Sequence, residues 1–582
     1  MVAQSFDRAW LEMKDVLRPR FAQALWIPLF LRQERSWGTF GSPGYVDDYY
    51  GVRTLAAHDD QRDAAERHEF SSLSHDASAS VWDGRYQPAG AYQTGDGVEI
   101  GIQLALLQSF PGDEQPILHL HQDFVLALGL CREGNDWVRP REGYARVARV
   151  ETGPDGQATG LLVRPEFLRD YLAARKMALL IRLFRDRRVS VADPSTLGLV
   201  AGETIKAKVE DGDAEIWIHD IGAREKVAVL KVARTDAWGQ DELPVLGQPT
   251  DENTTSERST RSMQRGTGFM ALSQFHRAEW IEPLGTSPRI GRDRTQSNVT
   301  FITDAAGTRT PAGELNFEDV GRWLWFSPEV INDLLGRRGT RLTWYTRYTA
   351  GVQTSSGESV HFGLNNRDLV VVYAEDVAGL DEWEQRVWAG YNVAPDGGIG
   401  DELHASQVAA EPAHTEAPEA WLARARAQLD EAFERRWGMR LFAPHKDIDA
   451  VLARCHRFRS RDEAGFLGLA KDLARVTFDN FNVGALHAIA PPAGEDGRGS
   501  LKSLERALAT VVPSDHARGL LAVLAGVNEL RQGDAHLPPS SIEDAIRLAG
   551  VHRPQSWLAM GGEIIHNVVR TLFDLAEQID LP

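Results

Sequence analysis

The spacing of hydrophobic residues changes near residue 400. Before that point, short runs such as "AEIWIHDI" and "DLVVVYAEDV" are rich in alternating or β-branched apolar residues, a pattern typical of β-strands. After it, apolar residues recur every three or four positions, as in residues 419–438, and indicate helices. We therefore predict a multidomain chain in which a mixed α/β N-terminal region is followed by an all-α helical bundle at residues 417–582.

An internal similarity divides the α/β region further. Residues 164–181 resemble residues 327–344, and each copy begins a predicted helix with proline between two strand-like runs. The residues of the first copy that recur in the second are Pro165, Glu166, Asp170, Leu172, Arg175 and Leu179, matched by Pro328, Glu329, Asp333, Leu335, Arg338 and Leu342. This similarity predicts a duplicated strand–helix–strand unit, and chance resemblance between two amphipathic helices is the alternative.

Two polar stretches are predicted to separate the domains. Residues 241–266 have no hydrophobic periodicity and predict a flexible loop, whereas residues 401–416 are rich in Ala, Glu and Pro and predict a linker. The predicted order before the bundle is an α/β region at 1–160, a first repeat unit at 161–240 and a second repeat unit at 267–400.

Composition and charge restrict the function classes. The chain is 42% hydrophobic and carries a formal net charge of −19, which argues against indiscriminate coating of nucleic acid but not against a local basic lining. Its two cysteines, Cys131 and Cys455, are too few for a cysteine zinc site or a disulfide framework. Neither a signal-peptide pattern nor a membrane-spanning apolar segment is recognised, so we expect a cytoplasmic protein with no membrane partner.

One segment of the α/β region has residue types that bind metals. In "PILHLHQDF", His119, His121 and Asp123 share one face of a predicted strand, and two imidazoles with a carboxylate are suitable ligands. A surface strand with its polar residues turned outward is the alternative, and we favour it because no third histidine stands at a supporting spacing. No metal and no cofactor is predicted.

The C-terminal third contains an arginine on a predicted apolar stripe. Four residues after the last member of that stripe the helical period reaches Arg531, and a buried guanidinium needs a carboxylate, a phosphate or a wet cleft. The stripe consists of Leu520, Val523, Leu524 and Val527. His536 follows five residues later, and Gly533 with Pro538-Pro539 predicts a frayed helix end at which His536 can fold back toward the arginine.

The segment Arg531-Gln-Gly-Asp-Ala-His536, placed in a helical bundle, resembles the R-x4–6-H signature of the HEPN superfamily. Members of this superfamily recur as RNases in bacterial toxins and antiviral defence systems, and the resemblance covers roughly residues 417–582. Pro538 departs from one subtype, which has a tyrosine two residues after the histidine. The resemblance is therefore to the superfamily and not to that subtype.

The resemblance implies a metal-independent endoribonuclease that acts on an RNA substrate. The RNA 2′-hydroxyl would attack the adjacent phosphodiester and leave a 2′,3′-cyclic phosphate. His536 would act as general acid or base, and Arg531 would stabilise charge on the phosphate oxygens. The resemblance also implies a composite cleft between protomers, so a homodimer or larger homo-oligomer is expected through the bundle.

Other polar residues near the motif have secondary roles in this hypothesis. The residues expected to support the catalytic pair are Gln532, Asp534, Asn528 and Glu529. In "RCHRFRSR", three arginines surround Phe458 and suggest single-stranded RNA binding by charge and stacking, with an ordinary solvated helix end as the alternative. These predicted RNA-binding residues are Arg457, Arg459 and Arg461.

Two functions follow from these observations. The first is the RNase effector of a bacterial antiviral-defence or toxin-type protein, whose α/β region senses a phage-derived or nucleotide trigger. The second is a non-catalytic HEPN-like dimerisation or ligand-binding module in a regulatory or scaffold protein. In the second, Arg531 is a buried ion-pair partner of Glu563 or Asp534, and His536 caps a helix.

Overall fold

The chain divides into two compact units in the computed structural model. The first comprises Met1–Pro140 and Ala145–Thr295, and the second comprises Arg141–Tyr144 and Gln296–Pro582. The structure describes residues 6–13, 20–39, 42–67, 80–82, 84–93, 98–108, 110, 115–209, 212–220, 269–293, 297–315, 322–411, 414–492, 499–536, 539–553 and 555–581. The predicted flexible loop at 241–266 lies outside these residues.

The first unit is built on one large antiparallel sheet. The strands of the whole unit are β1 Ile27–Trp37, β2 Val46–His58, β3 Ser80–Trp82, β4 Arg85–Gln87, β5 Ala91–Gln93, β6 Glu99–Ile102, β7 Ala105–Gln108, β8 Ile117–Leu120, β9 Cys131–Glu133, β10 Asp136–Arg139, β11 Ala145–Thr152, β12 Ala158–Val163, β13 Met177–Val191, β14 Thr204–Val209, β15 Gly212–Asp220 and β16 Phe269–Ile281. Its helices are α1 Arg8–Leu11, α2 Arg62–Glu66, α3 Gln122–Ala127 and α4 Pro165–Arg175. The sheet has twelve strands, in the order β14-β15-β16-β13-β2-β1-β12-β11-β10-β9, with β6 and β5 attached beside β2.

Strand β13 organises the centre of this sheet. It pairs with β2 from Met177↔His58 to Val189↔Val46, and on its other side with β16. The first half of the strand is apolar and packs with buried residues of α4, including Phe167 and Leu172, in the main core of the unit. The second half contains four consecutive charged residues at 185–188, so the sheet there carries charged side chains on both faces.

The second unit combines a smaller sheet with all the helices of the C-terminal region. Its strands are β17 Thr300–Ile302, β18 Arg309–Pro311, β19 Trp323–Phe326, β20 Arg341–Trp344, β21 Thr349–Gln353, β22 Ser359–Leu364, β23 Val370–Tyr373 and β24 Asn392–Val393. The six-stranded sheet has the order β20-β21-β22-β23-β19-β24, and β17 pairs with β18 separately. The helices beside it are α5 Glu329–Leu335, α6 Ala374–Ala378, α7 Glu382–Gly390 and α8 Asp401–His404. Helix α8 lies within the segment that was predicted to be a linker.

The two similar segments are both strand–helix–strand, as predicted, but they do not share one sheet topology. In the first copy, β1 and β2 lie between β12 and β13, and since every pairing is antiparallel, β12 and β13 are antiparallel to each other. In the second copy, β21, β22 and β23 lie between β20 and β19, which makes those two strands parallel. The matched aspartates differ too: Asp170 is buried and accepts from Ser287 Oγ, whereas Asp333 pairs with Arg337 at the surface. The two segments are therefore not copies of one unit with a common fold.

The C-terminal region is helical. In its described residues the helices are α9 Leu422–Trp437, α10 Ile448–Leu452, α11 Glu463–Val476, α12 Val483–Ile489, α13 Ser500–Leu508, α14 Ser514–Leu520, α15 Ala522–His536, α16 Pro539–Leu548 and α17 Trp557–Asp580. Hydrophobic periodicity in the sequence alone predicts about six helices, and the larger number arises because short helices interrupt the long apolar patterns. Helix α9 ends where predicted, at Gly438, which has φ of 69°. No helix in the described ranges has the length and apolar character needed to span a bilayer.

The predicted domain boundary before residue 417 is not a boundary between compact units. Phe458, from the helical region, is fully buried in the core of the six-stranded sheet. Its ring stacks on Trp344 with centroids 5.8 Å apart and meets Phe362 edge-on at 5.6 Å. Leu558 of α17 joins the same core. The bundle and the second sheet are therefore one packed body. The predicted unit at 161–240 is part of the twelve-stranded sheet, whereas that at 267–400 contains β16 of the same sheet and the whole six-stranded sheet.

Candidate functional site

The apolar stripe of α15 is displaced by one position from the prediction. Leu521, Leu524, Val527 and Leu530 are buried, whereas Leu520 and Val523 are only partly so. The cause is a break in the helix, because α14 ends at Leu520 and Leu521 has φ of −93° and ψ of 1°, which resets the helical phase. The stripe thus ends on Leu530, and Arg531 lies beside it at the edge of the core.

Arg531 is half-exposed and already paired. About 30% of its side chain is accessible, its Nη1 donates to Asp479 Oδ1, and its guanidinium carbon lies 5.3 Å from the ring centroid of Phe478. Asp479 belongs to a short turn after α11. Glu563, one of the two partners expected in the non-catalytic hypothesis, instead accepts from the backbone and side chain of His552. The side chain of Asp534, the other expected partner, lies outside the described part of the structure.

Helix α15 does not fray at Gly533. It continues to His536, two residues before Pro538. In a continuous helix, five positions separate two residues by about 140° around the axis. The predicted fold-back of His536 toward Arg531 is therefore wrong for the backbone, and the histidine side chain lies outside the described part. Of the other supporting candidates, Gln532 and Glu529 are exposed and Asn528 is half-buried.

An open cavity of about 550 Å³ lies next to the Arg531–Asp479 pair. Asp479 forms part of its wall, so the ion pair borders the cavity directly. The remaining lining residues are His445, Asp447, Ala450, Val451, Arg454, Arg475 and Asn480. Cationic, carboxylate and imidazole side chains thus surround a space large enough for a small ligand or a nucleotide segment.

A buried carboxylate fixes the arginines of this cavity. Asp472 of α11 is 2% exposed and lies within hydrogen-bond or ion-pair distance of three guanidinium groups. Arg454 Nε is 3.3 Å from Oδ2, Arg459 Nη1 is 3.0 Å from Oδ2, and Arg475 Nη1 is 3.2 Å from Oδ1. One carboxylate against three cations leaves a local positive surplus. Arg454 and Arg475 also line the cavity, where they stand beside the carboxylates of Asp447 and Asp479.

The three arginines predicted to bind RNA have different environments. Arg457 is 5% exposed, forms two hydrogen bonds with Glu419 at 2.7 and 2.9 Å, and stacks over Trp344, so its prediction as an RNA ligand is wrong. Arg459 belongs to the Asp472 cluster, and Arg461 is exposed. The stacking ring expected beside them, Phe458, is buried in the protein core.

His456 lies in the same segment and is buried as well. Burial lowers its pKa to about 4, so the imidazole is neutral at pH 7. Within the described ranges, no hydrogen-bond partner reaches its buried Nδ1. A neutral buried histidine of this kind resists protonation, which makes it a source of acid sensitivity.

The possible metal ligands of the first unit do not converge. Strand β8 ends at Leu120, so Asp123 lies in helix α3 and not on the strand face that the sequence predicted. His121 Nδ1 accepts from the Asp123 backbone N–H, His119 Nε2 bonds Gln108 Oε1 at 3.0 Å, and the Asp123 carboxylate is engaged by Tyr171 and Arg175. Among the described residues, no three His, Cys, Asp or Glu side chains are grouped so as to hold a metal ion.

Sequence reasoning missed Arg454, Asp472, Arg475 and Asp479. Asp472 and Arg475 are three positions apart on α11, which is a visible local signal, but the approach of Arg454 and Arg459 depends on how α10 and the following turn pack on α11. Comparison with protein-family models, curated proteins and solved structures finds no match for the chain. The chemistry of the site therefore has to be inferred from its own residues.

Proposed function

We propose that the helical C-terminal region is a HEPN-type endoribonuclease domain and that the cavity beside Arg531 and Asp479 receives the RNA phosphodiester. The observation that carries this proposal is the ion pair of the partly exposed Arg531 with Asp479, a residue in the wall of a cavity that Arg454 and Arg475 also line. Guanidinium groups present a planar fork of N–H donors that matches phosphate oxygens. A carboxylate that accepts from some N–H groups of a guanidinium leaves the remaining N–H groups able to bind an anion.

In this proposal the reaction is an internal transfer at phosphorus. The RNA 2′-oxygen forms a bond to the adjacent phosphorus and the bond from phosphorus to the 5′-oxygen breaks, leaving a 2′,3′-cyclic phosphate and a 5′-hydroxyl. His536 takes the proton of the 2′-hydroxyl or supplies one to the leaving 5′-oxygen, water serves for the other transfer, and Arg531 binds the non-bridging oxygens as their charge grows. Atoms and charge balance without a metal ion or cofactor.

The helical geometry favours a site shared by two protomers. Because about 140° of helix separates Arg531 from His536 on α15, one helix does not direct both residues into the same cleft. A homodimer through the bundle would instead place His536 of the partner subunit opposite Arg531. Gln532, Asn528, Glu529 and Asp534 would then orient the pair at that interface.

The wider role in this proposal is that of an RNase effector in a bacterial antiviral-defence or toxin-type protein acting in the cytoplasm. The β-rich first unit would sense a phage-derived or nucleotide trigger and restrain the effector. This role is supported by the resemblance of residues 531–536 and by the joining of a large separate unit to the helical region.

One observation favours the non-catalytic alternative. The guanidinium of Arg531 already has a carboxylate partner in Asp479, as a structural ion pair requires. In a dimerisation or ligand-binding module, this pair would stabilise the end of α11 against α15, and the cavity would bind a small anion without reaction. The two functions differ in whether His536 is required.

Expression of the full chain in bacteria distinguishes them. Wild-type protein is expected to degrade cellular RNA and slow growth, at least during phage infection, whereas His536→Ala is not. His516→Ala is a matched control, since His516 is an exposed histidine on the neighbouring helix α14, and it should behave like wild type. RNA damage by His536→Ala equal to that by wild type would place the reaction elsewhere, and intact RNA with normal growth under every trigger would reject the nuclease.

A further inference from the structure

A second cavity lies on the sheet of the first unit. Its volume is about 250 Å³, and it is lined by Phe30 and Arg32 of β1, Tyr49 and Arg53 of β2, and Leu107 of β7. Two guanidinium groups thus meet one aromatic hydroxyl and two apolar side chains. Burial lowers the pKa of the Arg53 guanidinium, Tyr49 opposes that shift, and the charge of Arg32 adds to it. A bound anion would relieve the repulsion between the two cations.

A row of rings extends from this cavity across the sheet. The ring centroid of Tyr49 is 5.9 Å from that of Phe184, which is 4.7 Å from that of His276. These residues stand on the neighbouring strands β2, β13 and β16, and Phe184 is directly opposite His276 in the register. Tyr49 and Phe184 are half-buried and His276 is exposed. Because Tyr49 also lines the cavity, the rings and the two arginines form one continuous surface.

The charges around the row are unevenly distributed. Arg182 of β13 is opposite Arg53, which makes the cavity end basic. At the other end Asp186 is opposite Tyr49, but its carboxylate is held by Arg188 at 2.9 and 3.0 Å and by Gln274. Glu34 of β1 lies 3.6 Å from Arg32, and both of these side chains are mostly exposed, so solvent weakens their attraction.

The rings and the arginines match the base and the phosphate of a nucleotide. Aromatic rings on a sheet surface stack with bases, and arginines bind phosphate. The cavity is smaller than the roughly 300–1,000 Å³ of pockets that enclose a whole ligand, so it would hold only part of one. A phosphate and sugar in the cavity would leave the base on the adjoining rings.

We propose that this face of the sheet binds a nucleotide unit, with its phosphate at Arg32 and Arg53 and its base against Tyr49 and Phe184. The site is separate from the bundle cavity and does not depend on RNA cleavage there. The same chemistry is offered by a free nucleotide and by a nucleotide within a single strand, so the experiment has one arm for each source.

The test uses full-length His536→Ala, so that no probe is cleaved, with a fluorescent twelve-residue oligouridylate in one arm and unlabelled ATP in the other. Binding of either probe is expected, and Arg53→Gln or Phe184→Ala should weaken it roughly 5- to 100-fold. Arg146→Gln and Tyr86→Ala are matched controls on exposed strands of the same unit and should bind like the parent. Binding of the oligonucleotide alone would identify a strand ligand, and binding of ATP at similar strength would identify a free nucleotide.

The proposal is overturned if neither probe binds, or if Arg53→Gln and Phe184→Ala bind as strongly as the parent. Misfolding of a variant is controlled by its melting temperature and by Arg53→Lys, which keeps the charge and should keep part of the affinity. A second measurement needs no variant of the site: photocrosslinking of 4-thiouridine RNA, or of azido-ATP, to the parent protein. The crosslinked peptides should contain Tyr49 or Phe184, and crosslinks confined to residues 417–582 would contradict the proposal.

Discussion

The two cavities hold their arginines in different ways. In the bundle cavity, Arg454 and Arg475 share the buried carboxylate of Asp472, and Arg531 is paired with Asp479. In the sheet cavity, Arg32 and Arg53 share their space with aromatic and aliphatic side chains. Carboxylates fix the direction of a guanidinium before any ligand arrives, which suits a reaction that needs exact placement of charge. A surface of rings and cations tolerates several ligand positions and suits binding.

Arg457 is the extreme case of an arginine that is fixed by a carboxylate, because its side chain is buried in the protein. Its replacement by Ala leaves the carboxylate of Glu419 buried without its cation, and we expect the free energy of unfolding to fall by about 3–5 kcal/mol. The exposed neighbour Arg461 should cost no more than about 0.5 kcal/mol when replaced by Ala. Urea denaturation of the two variants beside wild type measures the difference. A loss below about 1 kcal/mol for Arg457→Ala would mean that the pair is not structural.

Acid should weaken the second unit through His456. Its pKa of about 4 in the folded protein is below the value of about 6.5 expected after unfolding, so the unfolded chain binds more protons between these pH values. The stability contributed by the neutral imidazole is complete above pH 6.5 and is lost as the pH falls through 4, by up to about 3 kcal/mol. Melting temperatures from pH 7 to pH 4 should fall less steeply for His456→Gln than for wild type. Parallel pH profiles would show that the histidine is not buried in its neutral form.

Replacement of the carboxylate partners of the arginines should give the smallest difference in the free energy of unfolding. Asp472→Asn removes the charge that three guanidiniums share, and we expect it to lower the free energy of unfolding by about 2–3 kcal/mol. Glu34→Gln, which removes the exposed partner of Arg32, should change it by less than about 0.5 kcal/mol. Denaturant midpoints of both variants check this. Equal effects would remove the distinction between fixed and adaptable arginines.

Local signals in the sequence predicted much of the fold. The change from strand-like to helical patterning, the two strand–helix–strand segments and the end of α9 at Gly438 all depend on neighbouring residues, and the structure has them. The buried face of α15 was predicted incorrectly because a single non-helical residue, Leu521, stands between two helices whose apolar pattern looks continuous. The burial of Arg457 was missed for another reason: its partner Glu419 is thirty-eight positions away, and the two short turns that carry these residues meet because both pack against α17.

The candidate site, like the fold, was predictable only where it depends on residues close together in the sequence. Arg531 stands out because Val527 and Leu524, one and two helical turns earlier, are apolar, and its need for a carboxylate follows from the cost of burying a cation. Asp479, Asp472 and the cavity between them could not be inferred, since they come from α11 and the turn after it, more than fifty residues earlier. Periodicity describes one helix at a time, whereas a cavity is formed by the surfaces of several.

The proposed RNase activity is measured by cleavage of a labelled single-stranded RNA by the purified full-length protein with chelator present. Wild type should produce 2′,3′-cyclic phosphate ends, and Arg531→Ala and His536→Ala should each be at least about 100-fold slower. A mixture of the two inactive variants should recover part of the activity, because a mixed dimer contains one complete pair. Cleavage by His536→Ala at the wild-type rate, or no cleavage by wild type with any RNA or trigger, would refute the proposed reaction at Arg531 and His536.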